Sequence, residues 1–282
     1  MIKAADSAAD LVHGAGSDDH GAARAVVRVR VLRQDVAGGE SYWERFEVPY
    51  EPNMNVISVL QKIAAQARSQ DGRKVAPVAW DCNCLEEVCG SCTMLINGRT
   101  RMACSALVDR LQAEDGDEIE LRPMSKFPVV RDLVVDRRRL FRGLEKVKAW
   151  VPVEGSYDLG PGPRISPEEQ EDAYPLSECM SCGCCLEACP QYQQEADPKA
   201  WDTSFVGAAA INQARLFNMH ATGATEKEAR LEVLTGEGGV NDCGNAQNCV
   251  KVCPKEIPLT ESIAAIGRDV TVHAVKKFFT GR

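Results

Sequence analysis

From Arg24 to Arg33 the chain alternates, with Val27, Val29 and Val31 on one face and Arg28 and Arg30 on the other. A period of two with the apolar residues on one side predicts a half-buried strand. Gly38 and Gly39 mark a turn, and Tyr42 to Val48 reads as the returning strand. The period then changes. Val56, Val59, Leu60, Ile63 and Ala67 recur at helical spacing behind Asn53 or Asn55, either of which can cap a helix. Asn97 and Gly98 lie between two apolar runs, a strong hairpin signal, and Ile119 to Leu121 supplies a last short strand. Beyond Phe127 the pattern predicts a connector and a helix, then helical segments almost throughout. Ser166, Pro167 and Glu169 combine a cap, a proline at the first position and a glutamate three residues after the cap. Ala208 to His220 and Glu226 to Leu234 read as helices. Thr260 is positioned to cap a final helix carrying Ile263, Ile266 and Val270. Gly160 to Pro163 is linker-like.

Cysteines interrupt this pattern in three places. Cys84, Cys89, Cys92 and Cys104 follow the C-x4-C-x2-C…C spacing of a plant-type 2Fe–2S site. Gly90 suits a backbone that wraps closely around inorganic sulfide with N–H groups turned inward. Hairpin, helix, cluster loop, hairpin and strand together predict a β-grasp ferredoxin domain. Cys179, Cys182, Cys185 and Cys189, followed by Pro190, follow C-x2-C-x2-C-x3-C-P. In two-cluster ferredoxins the fourth cysteine of such a run ligates the other cluster. A second run, Cys243, Cys249 and Cys253 followed by Pro254, has the same spacing with Ala246 in place of the second cysteine. Exchanging the fourth cysteines leaves Cys179, Cys182, Cys185 and Cys253 as a four-thiolate 4Fe–4S site. Cys189, Cys243 and Cys249 form a three-thiolate site that suggests 3Fe–4S. Structural zinc on the same cysteines is the competing reading, although zinc sites usually use paired C-x2-C knuckles. Pro190 and Pro254 should turn the chain away from the clusters. Cys82 and Cys184 fall outside the count and read as small buried side chains, with Cys82 as a substitute ligand the alternative.

The expected fold class is therefore α+β. Residues 1–23 form a disordered extension, 24–135 the plant-type 2Fe–2S domain, and 136–282 an all-α bacterial-type domain with two clusters. Thirteen cysteines, an odd number grouped in tight runs and without a signal pattern, indicate metal ligation in a reducing compartment rather than a disulfide scaffold. The net charge of −8 and the scattered positive charge argue against nucleic acid. The basic stretch from Arg137 to Lys148 could dock an acidic partner or be a solvated helix face. No apolar run approaches the roughly 18–20 residues that span a bilayer, so membrane attachment requires a partner. His13, His20, His220 and His273 lack ligand spacing with a cysteine. No C-x-x-C-H haem site, P-loop or Rossmann G-x-G-x-x-G occurs. What remains is an electron conduit, with no evident site for carbon chemistry. Cluster potentials span roughly −700 to +450 mV, so cluster type alone does not set the direction of flow.

The order of the three cysteine groups resembles the iron–sulfur subunit of succinate dehydrogenase and fumarate reductase over about residues 24 to 280. Asn83 to Gly90, Phe127 to Leu133 and Asp242 to Cys249 carry the likeness. It is closest to the menaquinone-linked branch with one large two-haem cytochrome b anchor. The resemblance implies a relay in which a flavoprotein with covalent FAD oxidises succinate. Electrons then pass through the 2Fe–2S, 4Fe–4S and 3Fe–4S clusters to the membrane subunit and quinone. It also implies a non-catalytic subunit held on the cytoplasmic face of the membrane. Ubiquinone-linked relatives place a Trp and a His where this chain has Gln194 and Gly244, which points away from a quinone pocket built here and toward transfer through haem. Some relatives carry Asp at the position of Cys92; this chain has all four thiolates. Fumarate reduction by the same subunit and a soluble multi-cluster carrier are the alternatives. The two fused domains and the long connector argue against the carrier.

Overall fold

In the computed structural model, residues 26–152 and 164–280 are described. The expected extension at 1–23 and the linker at 160–163 lie outside them. Strands β1 (Val26–Gln34) and β2 (Ser41–Pro49) pair antiparallel, with Val29 opposite Phe46 and Val27 opposite Val48. Helix α1 (Val56–Gln66) follows, then the hairpin of β3 (Thr93–Ile96) and β4 (Arg99–Met102), a short helix α2 (Val108–Asp115), and β5 (Glu118–Arg122). β5 runs parallel to β1, and the sheet order is β2-β1-β5-β3-β4. This is the β-grasp arrangement. The alternation behind it is complete: Val27, Val29 and Val31 are fully buried against Leu60 and Ile63 of α1. On the outer face Arg30 pairs with Glu120 at 2.6 Å and lies over the Trp43 ring. Asn97 and Gly98 take φ of 49° and 73°, as the hairpin turn requires. Asn55 is the cap of α1, accepting from Ser58 N at 2.9 Å. Ala67, whose spacing suggests a place in the helix, is instead its left-handed C-cap.

Two short strands, β6 (Val129–Arg131) and β7 (Val134–Val135), form a hairpin between the domains. Asp132 at its tip is fully buried and accepts from Arg33 Nε at 2.8 Å and Ala79 N at 2.8 Å. Arg33 also pairs with the buried Glu44. Removing one member of such a buried set costs about 3–5 kcal/mol, because the remaining charge is left without a partner. The cores interleave along this stretch: Met124 and Phe127 pack in the second core, Leu133 in the first.

The second domain comprises α3 (Arg138–Lys146), α4 (Pro167–Ser177), α5 (Cys184–Glu187), α6 (Gly207–Met219), α7 (Lys227–Thr235), α8 (Asn248–Lys251) and α9 (Leu259–Thr280), with short 3₁₀ turns between. The capping box at Ser166 and Glu169 is present in both directions. Buried Asn212 on α6 ties three helices together, donating to Leu176 O on α4 and accepting from Ser262 Oγ on α9. Thr260 does not cap α9. The helix starts at Leu259, two residues before the start a cap at Thr260 implies, and the Pro258 carbonyl accepts from both Glu261 N and Ser262 N at 3.1 Å.

Much of the basic stretch is engaged within the molecule, while Arg138 stays exposed beside Asp136. Arg137 reaches inward to backbone carbonyls of both domains. Arg139 is buried over the Tyr192 ring, Arg142 pairs with Asp202, and Lys148 pairs with Glu226. Most of these charges find partners within the molecule, which spacing alone does not reveal.

Candidate functional site

The first site is the loop between α1 and β3. Leu85, Glu87 and Gly90 take left-handed φ of 63°, 55° and 71°, which curls the backbone around one sulfur. The N–H groups of Glu86, Val88 and Cys89 donate to Cys84 Sγ at 3.3–3.4 Å, and Ser91 N donates to Cys89 Sγ at 3.5 Å. Such a nest of inward N–H groups favours a thiolate. Cys84 and Cys89 lie half-buried on the rim, while Cys92 and Cys104 are buried at the head of β3 and just past β4. Asn55 Nδ2, from the cap of α1, donates to Cys104 O at 2.9 Å and fixes that end. Hydrogen bonding, first from Ser91, lowers the Cys89 thiol to about 6; burial pushes Cys104 up to about 11.

Of the other nine cysteines, all but Cys82 lie in the helical domain and divide between two pockets. One is lined by Cys179, Cys182, Cys185 and Cys253, with Cys184 beside them. The other is lined by Cys189, Cys243 and Cys249, with Ala246 on its wall. Each pocket thus contains the fourth cysteine of the other run. The runs are built alike. Ser181 and Gly183 flank Cys182 with φ of 52° and 88°, while Asn245 and Gln247 flank Ala246 with φ of 52° and 60°. Each then enters a four-residue helix, α5 or α8. Phe205, Ala208 and Ile263 supply apolar walls to the second pocket.

These donor sets suit iron–sulfur clusters. All thirteen cysteines are free. Burial pushes Cys179, Cys185 and Cys249 up, so a thiolate there needs a cation beside it. Among the described residues, no group of three or more His, Cys, Asp or Glu is placed to hold a single metal ion. Cys184 is fully buried and packs into the core of the first domain. Cys82 is exposed, against the expectation of a buried side chain. It sits on a loop without regular structure. His220 accepts from Gly223 N and His273 contacts Glu232. Gln194 is exposed, and Gly244 lies under Gln191, whose Nε2 would be 2.5 Å from a Cβ at 244.

Three functional contacts escape sequence reading. Arg137 joins the loops of the first two cysteine sets. Ser91 tunes Cys89. Glu187 clamps the connector by accepting from Ser125 N, Ser125 Oγ and Lys126 N. Only the basic run around Arg137 gave a signal, and its composition pointed outward.

Comparison with known proteins agrees with this geometry. Residues 28–142 match a 2Fe-2S iron-sulfur cluster binding domain, and residues 175–257 match a 4Fe-4S dicluster domain. The chain is 53% identical to the succinate dehydrogenase iron-sulfur subunit of Bacillus subtilis, across 90% of this chain and 96% of that one. It is 30% identical to the fumarate reductase iron-sulfur subunit of Wolinella succinogenes, across 86% and 96%. Among solved structures, a chain of the Mycobacterium smegmatis Sdh1 complex in the apo form superposes with a TM-score of 0.69 at 25% identity, covering 90% of this chain and 97% of that one.

Proposed function

The chain belongs to the iron–sulfur subunits of succinate dehydrogenases and fumarate reductases, and we propose that within this family it serves a succinate:quinone oxidoreductase working toward succinate oxidation. It is an electron-transfer subunit with a 2Fe–2S and a 4Fe–4S domain, peripheral in a membrane-bound complex with flavoprotein and anchor subunits. The observation that carries the proposed direction is the 53% identity with a succinate dehydrogenase subunit, against 30% with a fumarate reductase subunit.

In this reading Cys84, Cys89, Cys92 and Cys104 hold 2Fe–2S, Cys179, Cys182, Cys185 and Cys253 hold 4Fe–4S, and Cys189, Cys243 and Cys249 hold 3Fe–4S. When bound, the clusters supply one-electron oxidation and reduction between the flavoprotein and the membrane subunit. The chain's own residues set the surroundings. Backbone N–H groups around Cys84 stabilise charge on sulfur. Phe205, Ala208 and Ile263 give the second pocket apolar walls. Ala246 offers no ligand, which supports the three-iron assignment. The subunit itself performs no carbon chemistry; that belongs to the flavoprotein and its covalent FAD. The anchor is read as a two-haem cytochrome b serving menaquinone. Gln194 and Gly244 support transfer through haem, and the complex is read as facing the cytoplasm. Purification from membranes with native partners tests the assignment. Co-purifying covalent flavin and haem b, succinate-dependent quinone reduction and three cluster signals are expected. A preparation that reduces fumarate but does not oxidise succinate would overturn the direction, and one without haem would overturn the anchor.

A further inference from the structure

The loops carrying the first two cysteine sets meet at one point. Gly90 lies against Cys182 so closely that a Cβ at position 90 would sit 2.7 Å from both Cα and Cβ of Cys182. Arg137 spans this contact. Its Nη1 donates to Gly90 O at 2.7 Å and to Cys182 O at 3.3 Å, and its Nη2 donates to Ser91 O at 2.8 Å. Its hydrogen bonds therefore go to backbone carbonyls of both loops. A planar fork with several donors can bridge two strands of chain in a way a lysine cannot.

A guanidinium is expensive to bury without a carboxylate in contact. Carbonyl dipoles compensate part of the cost. The rest falls to the charges around it: Cys182 first, then the Asp81 carboxylate, then Cys184 and Cys92. Burial lowers the Arg137 pKa, yet arginine starts so high that the charge persists at physiological pH. A tie made only for packing needs no charge here.

We propose that Arg137 is the positioning residue for electron passage between the first two cysteine sites, clamping their loops at closest contact and placing one fixed positive charge between them. The inference rests on the ligand reading given above. The step it serves moves one electron: one site is oxidised by one as the other is reduced by one, no bond breaks and no proton moves. A fixed cation favours the more negative, reduced form on each side.

The test uses the intact complex, carrying Arg137→Gln or Arg137→Lys, in redox titrations followed by electron paramagnetic resonance. Arg137→Gln should lower the midpoint potentials of both the 2Fe–2S and the 4Fe–4S cluster by about tenfold in their reduction equilibria, about 59 mV for one electron. The 3Fe–4S potential should stay where it was. The magnetic interaction between the two reduced clusters should weaken as the loops part. Arg137→Lys keeps the charge and loses the fork, so it should restore the potentials and leave the interaction weakened. Potentials within twofold of the unmodified complex in Arg137→Gln overturn the electrostatic role. An unchanged magnetic interaction in Arg137→Lys overturns the clamp, and this variant decides the matter if Arg137→Gln fails to retain its clusters. Absence of the two signals from the unmodified complex would instead remove the ligand reading and the inference with it.

Discussion

At the scale of single residues, Ala246 separates the two pockets of the helical domain. It stands where Cys182 stands in the first run, between Asn245 and Gln247, whose left-handed φ match those of Ser181 and Gly183. The backbone is already shaped for a ligand, and only the sulfur is missing. Ala246→Cys should therefore convert the proposed 3Fe–4S site to 4Fe–4S. The electron paramagnetic resonance signal of the oxidised three-iron cluster should disappear, and the midpoint potential should fall because a thiolate adds negative charge. A signal at full intensity in the folded variant would defeat the ligand-count argument. In the first site the contrast is between Cys89, lowered to about 6, and Cys104, raised to about 11. In cluster-free protein at pH 7, Cys89 should be mostly thiolate and alkylate rapidly, while Cys104 should resist. Ser91→Ala should slow Cys89, since Ser91 is the first cause of its low pKa. A folded pKa below the unfolded value makes the thiolate of Cys89 a stabilising contribution, complete above about pH 8.5 and lost as pH falls through about 6. Mass spectrometry after brief alkylation across that range checks both points. The cysteine spacings were legible in sequence because ligand geometry constrains them. Ser91 was not, because a serine between two ligands looks like any loop residue.

At the scale of elements, Asn55 does two jobs from one side chain. Its Oδ1 accepts from Ser58 N and caps α1, and its Nδ2 donates to Cys104 O. Asn55→Ala should cost about 1–2 kcal/mol from the lost cap and should also loosen the first cluster. Asn55→Asp keeps the cap and loses only the donor to Cys104 O. Urea unfolding should separate the two variants, whereas the rate of cluster loss to a chelator should rise in both. Equal cluster lifetimes in Asn55→Asp and unmodified protein would show that the bond to Cys104 O is idle. The β-grasp strands and α1 were legible because each has one buried face and one polar face, so the period declares itself. Helix α2 was not anticipated. Its cap, Leu107, makes no side-chain bond, and only Val108, Leu111 and Gln112 are buried. Helix α9 starts two residues before the start that a cap at Thr260 implies, because Pro258 precedes it and its carbonyl already accepts from Glu261 N and Ser262 N.

At the scale of the whole molecule, the two domains are held together more tightly than their sequences suggest. Cys184, from the run between Cys179 and Cys189, packs in the core of the β-grasp domain. Glu187 clamps Ser125 and Lys126, and the β6–β7 hairpin is pinned to β1 through Asp132 and Arg33. Periodicity reports which face of an element is buried but not which neighbour buries it, so these joints were invisible until the chain was folded. They raise the question of whether losing one cluster unfolds the rest. The walls of the pockets argue that it does not. The first site is built on α1, β3 and its own loop, whereas the other two are walled by α6, α9 and the two short helices. The contact between Gly90 and Cys182 is made by the Cys182 backbone and Cβ and involves no sulfur of Cys89. Cys89→Ser should therefore abolish or severely disturb the 2Fe–2S signal while leaving 4Fe–4S and 3Fe–4S at near-unmodified occupancy. Iron and sulfide content, together with the resonance signal of each cluster in the purified complex, makes the check. If a folded Cys89→Ser protein loses all three clusters, the Gly90–Cys182 joint and its Arg137 tie carry the second site as well, and the two domains act as one unit in cluster assembly.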